Sequence, residues 1–349
     1  MTTVLAHEVA IWKLEREGAC GVGDHSRGFV RNLGGRVVEL GHGAEMVPGP
    51  QLLQYVPHGW DRALGWAGAL SARLDDASEA QRTLFLHEAR RRPSWRVRSW
   101  GHWASDLLAL RVLLPRVARV VVTTERRAAQ VLELMRRWRL DRPVGVVGVA
   151  SNVHASDPDG APDVPTGSEV AIFARSGGGV LARALASTVA ELLRRRRDVR
   201  VVLLGARTRE PHDEVLSALK EREVLDRVDV VGAAAASDVA ARMGSARVGL
   251  ALHDTGVSGR RGTVMAMLAT GLPLVSARGV DTDGWLERTS GVILATEARK
   301  PDASALADAL LQVVDEPVQR ALERRHAASA TYLQHAGWSA LGRVLEGRQ

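Results

Sequence analysis

The chain has 349 residues, more than one hydrophobic core usually serves, so two domains are expected. Hydrophobic residues at 46% and charged residues at 25% exclude the disordered and fibrous classes. The single cysteine, Cys20, excludes an internal disulfide, no Cys/His group has zinc-site spacing, and a net charge of +7 raises nucleic acid, anionic lipid or phosphorylated ligands as partners.

The N-terminus, "MTTVLAHEVAIW", lacks the charged and apolar regions of an export signal. No uncharged apolar run reaches the roughly 18 residues of a membrane span. A reducing, cytoplasmic setting is the expectation.

Residues 1–155 read as an N-terminal Rossmann-like domain. Strands at "EVAIW", "RVVEL", "LLQYV", "TLFLHE", "ARVVVTT" and "VGVVGV" alternate with helices at Gly28 to Leu33, Ser105 to Leu114 and "RRAAQVLELMRRW". Between the first two strands, "CGVGDHSRGFVRNL" places Gly21 and Gly23 in a loop where the backbone can approach a ligand, and Asp24 or Ser26 can cap the helix that follows. A tight turn with an N-cap explains the same residues. "TLFLHE" delivers His87 and Glu88 where a buried strand stops, a place suited to binding sugar hydroxyls or moving protons. "EARRRPSWRVRSWGHW" interleaves arginines with Trp95, Trp100 and Trp103, which suits peripheral membrane contact, an anionic acceptor, or simply a solvated loop.

"SNVHASDPDGAPDVPTGS" is the best linker in the chain, with residues 156–168 as its core. Residues 169–325 then alternate more regularly: strands "EVAIFA", "VRVVLLG", "VDVVG", "RVGLAL" and "LPLVSA", with helices at Val180 to Arg197, in "HDEVLSALKEREV", in "ASDVAARMGSA" capped at Ser237 or Asp238, and from about Thr263 to Thr270. Apolar strands alternating with helices imply parallel sheets covered on both faces. The fold class is therefore α/β, with two doubly wound, Rossmann-like domains facing each other across a cleft. A C-terminal helical segment, 326–349, is expected to pack back on the N-terminal domain.

Two arginine clusters divide by position. "RRRR", Arg194 to Arg197, closes a helix, where cations complement the helix dipole. Arg260 and Arg261 instead sit in a glycine-flanked loop before an apolar helix ended by Gly271. Backbone N–H groups near Gly262, Thr263 and Val264 open that helix, and guanidiniums beside them can grip phosphate oxygens in pairs. Solvent exposure of the two arginines, or pairing with Asp254, is the alternative.

In this order "GVGDHSR", "LQYVP", "LFLHE", "VVVTTE", "VASN", "VVLLG" and "GVSGRRGTVMAMLATGLPLVS" resemble the bacterial family 4 glycosyltransferases, retaining enzymes of GT-B fold that use nucleotide-sugar donors. The resemblance implies that Gly21, Gly23 and Asp24 lie on the acceptor and donor side of the cleft, that His87 lies beside the transferred sugar, and that Arg175 contacts the donor diphosphate. Two departures matter. The lysine that usually follows the arginine is missing, which shifts diphosphate neutralisation towards Arg260 and Arg261. Ser258 and Ala266 stand where relatives carry a Glu-x7-Glu pair, as in a branch with SxRRGT at that loop.

The function implied is transfer of a hexose-type sugar from a nucleotide diphosphate sugar to an acceptor hydroxyl on a glycan, a lipid-linked molecule or a small molecule. Retention of configuration and independence of metal and cofactor are expected, with Asp24, His87, Arg175 and Arg261 as catalytic candidates and Gly21, Gly23, Arg260, Gly262 and Thr263 as donor-binding ones. Were the reaction inverting, Asp24 or His25 would be the base. The missing glutamates motivate a second reading, a catalytically inactive scaffold subunit beside an active transferase. Nucleic-acid binding rests on net charge alone.

Overall fold

A computed structural model of the chain describes residues 10–14, 28–33, 36–40, 51–55, 82–87, 97–153, 165, 167–173, 179–205, 214–232 and 234–347. The chain divides into two compact units, Met1–Ala150 with Trp338–Gln349, and Ser151–Gly337.

The first unit holds strands β1 (Ala10–Leu14), β2 (Arg36–Leu40), β3 (Gln51–Tyr55), β4 (Arg82–Leu86), β5 (Arg119–Val122) and β6 (Val144–Val146). They form one parallel sheet in the order β2-β1-β3-β4-β5-β6. Its helices are α1 (28–33), α2 (Val97–Leu113) and α3 (Glu125–Trp138). Successive side chains of a strand face opposite ways, and the core follows that rule. Leu84, Leu86, Val120 and Val122 pack with Leu110, Val131 and Met135 of α2 and α3, whereas Phe85 and Val121 pack on the other face with Phe29 and Leu33 of α1.

The second unit holds β7 (Glu169–Phe173), α4 (Val180–Arg195), β8 (Arg200–Leu204), α5 (Glu214–Glu221), β9 (Val228–Val231), α6 (Ala236–Ser245), β10 (Val248–Leu250), α7 (Gly262–Ala269), β11 (Leu274–Arg278), α8 (Gly284–Glu287), β12 (Val292–Glu297), α9 (Ala303–Val314) and α10 (Val318–His335). Its parallel sheet runs β12-β11-β10-β7-β8-β9, the Rossmann strand order in which the chain changes direction between β7 and β10. Ligands of such sheets bind where the strands end at this reversal. One face is covered by α4, α5 and α9 and the other by α6, α7, α8 and α10. Among the described residues no helix is long and apolar enough to cross a membrane.

The last helix, α11 (Trp338–Glu346), belongs to the first unit, where Ala340 and Leu341 join Phe29, Leu33 and Phe85 in the core. Arg119 donates to the carbonyl oxygens of Val344 and Leu345, two of the acceptors left over at a helix end.

Element bounds depart from the sequence reading where local context overrides pattern. α2 starts at Val97 rather than Ser105. Ser237 and Asp238 do not cap α6: the helix begins at Ala236, the cap position is Ala235, and no side chain bonds there. β12, α8 and α9, which lie beyond "LPLVSA", were not expected as elements, and α10 begins at Val318, ahead of the anticipated 326.

Candidate functional site

The described part of the candidate site lies after β10 and β11, adjacent parallel strands whose carboxyl ends open into two loops. Residues 251–261 follow β10, and residues 279–283 follow β11. The loops clasp each other through glycine. Gly256 has φ +88°, and a Cβ there would overlap Gly279 and Thr282, so only glycine allows both the turn and the approach. Asp281 N–H donates to the Thr255 carbonyl at 2.8 Å, and Gly259 N–H donates to Asp283 Oδ2 at 2.7 Å.

Behind the clasp lies α7. Val264, Met265, Ala266, Met267 and Leu268 are all buried, and each large side chain so placed stabilises the fold by about 1.5–3 kcal/mol. The helix is thus a fixed base rather than a surface element. Gly271, at φ +68°, ends it as the sequence implies. The first helical hydrogen bond runs from Met265 N–H to the Arg261 carbonyl at 3.0 Å, so the N–H groups of Gly262, Thr263 and Val264 precede the helical ladder. Arg261 occupies the cap position and supplies no acceptor to them.

Around this helix start the structure brings together four residues singled out from sequence: Arg260, Arg261, Gly262 and Thr263. Arg260 donates to Asp281 Oδ2 and Thr255 Oγ1, both at 3.3 Å. Arg261 donates to Thr255 Oγ1 at 3.1 Å and to Asp254 Oδ1 at 2.9 Å. Pairing of Arg261 with Asp254 therefore occurs, but the Asp254 side chain is 71% exposed, where water weakens its hold. Burial, and next the Arg260 charge, push the Arg261 guanidinium below its ordinary value despite that pairing. His253, with Nε2 3.3 Å from Thr263 Oγ1, reports the same field. Burial, Arg261 and Arg260 together outweigh Asp254 and push its imidazole down to about 3, so it is neutral in the free protein at neutral pH.

Ser258 and Ala266, the positions of the missing glutamates, are both buried in this unit. Ala266 packs in the apolar face of the sheet, a place that does not admit a carboxylate without large cost. Ser258 Oγ has no hydrogen-bond partner, an orphaned hydroxyl in the same loop as the arginines.

The tetrad Arg194 to Arg197 contrasts with this pair. Arg194 and Arg195 bind Glu191, Arg195 also reaches Asp308 and Ser304, and Arg196 binds Asp198 and Asp315. These are solvated ion pairs at a helix end, which is the structural reading of that cluster.

His87, in the first unit, immediately follows β4 and is 7% exposed. Its N–H bonds the Tyr55 carbonyl at 3.1 Å, its ring nitrogen Nε2 meets Gln54 Oε1, and its carbonyl accepts from Thr123 and Arg127. The ring lies 4.5 Å from that of Phe85. Its position is fixed from several sides by these contacts. Gly21, Gly23, Asp24 and Arg175 lie outside the described residues, Arg175 two positions beyond the end of β7. Thr255, Asp281 and Asp283 were not singled out from sequence; the available signal was "GVDTDG" following the strand "LPLVSA". Among the described residues no cluster could hold a metal ion.

No family model and no curated protein sequence matches the chain. Solved structures do. Sucrose-phosphate synthase from Thermosynechococcus elongatus matches with a TM-score of 0.64 at 14% identity, covering 98% of each chain. Anabaena HepE, solved with UDP and glucose, matches with a TM-score of 0.60 at 14% identity, covering 98% of this chain and 99% of that one. Staphylococcus aureus TarM, solved with UDP, Fondaparinux and alpha-GlcNAc-glycerol, matches with a TM-score of 0.56 at 11% identity over 85% of this chain. The chain spans 55% of TarM's length. These neighbours are glycosyltransferases of GT-B fold, and the fold of this chain is GT-B, each of its units a parallel sheet flanked by helices.

Proposed function

We propose that the chain transfers a hexose-type glycosyl group from a nucleotide diphosphate sugar to an acceptor hydroxyl, with retention of configuration and without a metal ion, as a member of a family 4-like branch with SxRRGT in place of the paired glutamates. The observation that carries this reading is the geometry at the start of α7, where Arg260 and Arg261 stand beside the N–H groups of Gly262, Thr263 and Val264. Burial and the Arg260 charge hold Arg261 below its ordinary value, and burial with the two guanidiniums outweighs Asp254 in keeping His253 neutral. An anion offsets the guanidinium repulsion that contributes to both. The diphosphate of a donor matches in charge and in number of acceptor oxygens, and neighbouring structures bind UDP.

In the reaction, the bond between the anomeric carbon and the diphosphate oxygen breaks, and its electron pair stays on that oxygen. The acceptor oxygen bonds the anomeric carbon on the same face, and its proton passes to the departing phosphate. Negative charge therefore grows on the diphosphate as the bond opens. Fixed guanidiniums and helix-start amides stabilise that charge more in the transition state than in the ground state. Arg260 and Arg261 supply it, joined by Arg175, while Gly262 and Thr263 contact the phosphate. His87, its ring held by Gln54, orients the sugar, Gly21 and Gly23 contact the donor, and Asp24 contacts the acceptor hydroxyl.

A mass-spectrometric screen of nucleotide sugars against the full chain tests the reading. The expected result is one retained or hydrolysed donor whose consumption the double variant R260A/R261A abolishes; no binding by any nucleotide sugar would overturn it.

A further inference from the structure

Thr263 is the second residue of α7, and His253 sits on the loop leaving β10, with Nε2 and Oγ1 3.3 Å apart. A hydroxyl carries one proton. If Thr263 gives that proton to a ligand, its oxygen is left to accept, and the ring N–H of His253 is a donor within reach. We propose that His253 is a positioning residue for the phosphate bound at the start of α7: its Nε2–H occupies the Thr263 oxygen, directs the hydroxyl proton at the phosphate, and the imidazole takes up a proton as the phosphate arrives. The inference rests on the diphosphate reading of this site.

The charges that face His253 set the direction of the proton. Burial pushes the imidazole towards the neutral form, and from its own loop Arg261 and Arg260 add to that push and outweigh Asp254. From the loop after β11, Asp281 is bound to Arg260, while Asp283 is committed to the Gly259 N–H. All the carboxylates named here are already present in the free protein, and they leave the imidazole neutral. A bound phosphate adds one to two negative charges beside the same guanidiniums, which offsets their push and moves the imidazole towards the charged form against burial. Ser258 Oγ and Arg261 Nε, both buried on the loop after β10, have no hydrogen-bond partner.

The test is calorimetric titration of UDP and of inorganic pyrophosphate into the full chain near pH 6, in two buffers of different ionisation enthalpy. H253Q is the comparison, because glutamine keeps an N–H able to reach Thr263 but cannot titrate. The wild type is expected to take up more protons per bound ligand than H253Q, and its affinity gain between about pH 7.5 and pH 5.5 is expected to exceed that of H253Q by about threefold or more. T263V should weaken both probes, and adding H253Q to it should cost little more, since one interaction is already gone. NMR titration of the His253 ring in the wild-type chain, with and without pyrophosphate, reads the same protonation without substitution. Equal proton uptake in wild type and H253Q, or a His253 titration unmoved by pyrophosphate, would overturn this inference while leaving the diphosphate site standing. No binding of either probe would overturn both.

Discussion

Arginines appear twice in the second unit in opposite electrostatic settings. At the end of α4, Arg194, Arg195 and Arg196 share Glu191, Asp198, Asp308 and Asp315, and hydrogen bonds donated to these carboxylates raise all three above the ordinary arginine value. Ahead of α7, Arg260 and Arg261 are partly buried, repel each other, and pair with Asp281 and with a largely exposed Asp254. The first cluster is satisfied by the fold itself. The second is ion-paired too, but burial and mutual repulsion hold Arg261 below its ordinary value. Sequence composition counts these residues alike, so net charge says little about what binds; the degree of local compensation says more.

The strongest way to break this contrast is to put a carboxylate back. A266E introduces the residue of the more usual motif, but Ala266 packs in an apolar face, and an uncompensated buried charge costs about 3–5 kcal/mol. Urea denaturation should show that loss. Unchanged stability would mean that the new carboxylate reaches the arginines and that the site is one ion pair short by accident rather than by construction.

Next in size, R260A/R261A should lower donor turnover about a hundredfold or more, the scale of losing preorganised donors to a developing anion, while the folding midpoint moves little. The matched control is R194A/R196A, which should leave turnover unchanged. Equal losses in the two variants would erase the distinction between the clusters.

In the first unit, H87A leaves the buried Gln54 side chain without its ring partner and should destabilise by about 1–3 kcal/mol, read by denaturation. A smaller effect concerns acid. The folded-state value of His253 is about 3, below the unfolded value of about 6.5. Between these limits the unfolded chain binds the proton and the folded chain does not. Stability from this residue is therefore complete above about pH 6.5 and is lost progressively as pH falls towards 3. H253Q should flatten that part of the profile when urea midpoints are compared at about pH 7.5 and pH 4.5.

How far the sequence carries can be judged on particular elements. Strands buried on both faces, such as "VRVVLL" and "TLFL", have no competing pattern, and their helices show the apolar spacing that a sheet face demands. β12 is an edge strand in which Val292 is the one buried residue, and its register with β11 shifts after Ser276, so its pattern carries no such signal. Capping was misread at Ser237 because a serine before an apolar run satisfies the pattern wherever the backbone turns; here Ser237 lies inside the first turn. Within the site, the two arginines, Gly262 and Thr263 are sequence neighbours of a helix start and were legible as such. Asp281 and Asp283 reach it only because β10 and β11 pair in parallel and their loops emerge together, a fact of strand order that one sequence does not display. His253 was passed over for the same reason: nothing local says that its ring returns to Thr263 ten residues later.

The most direct test of the central claim is calorimetric titration of UDP, GDP and dTDP into the wild type and R260A/R261A, both shown to be folded. The account predicts that at least one nucleotide binds the wild type and that the double variant loses it by at least about tenfold, a difference of about 1.4 kcal/mol. Equal binding by the two proteins would contradict it.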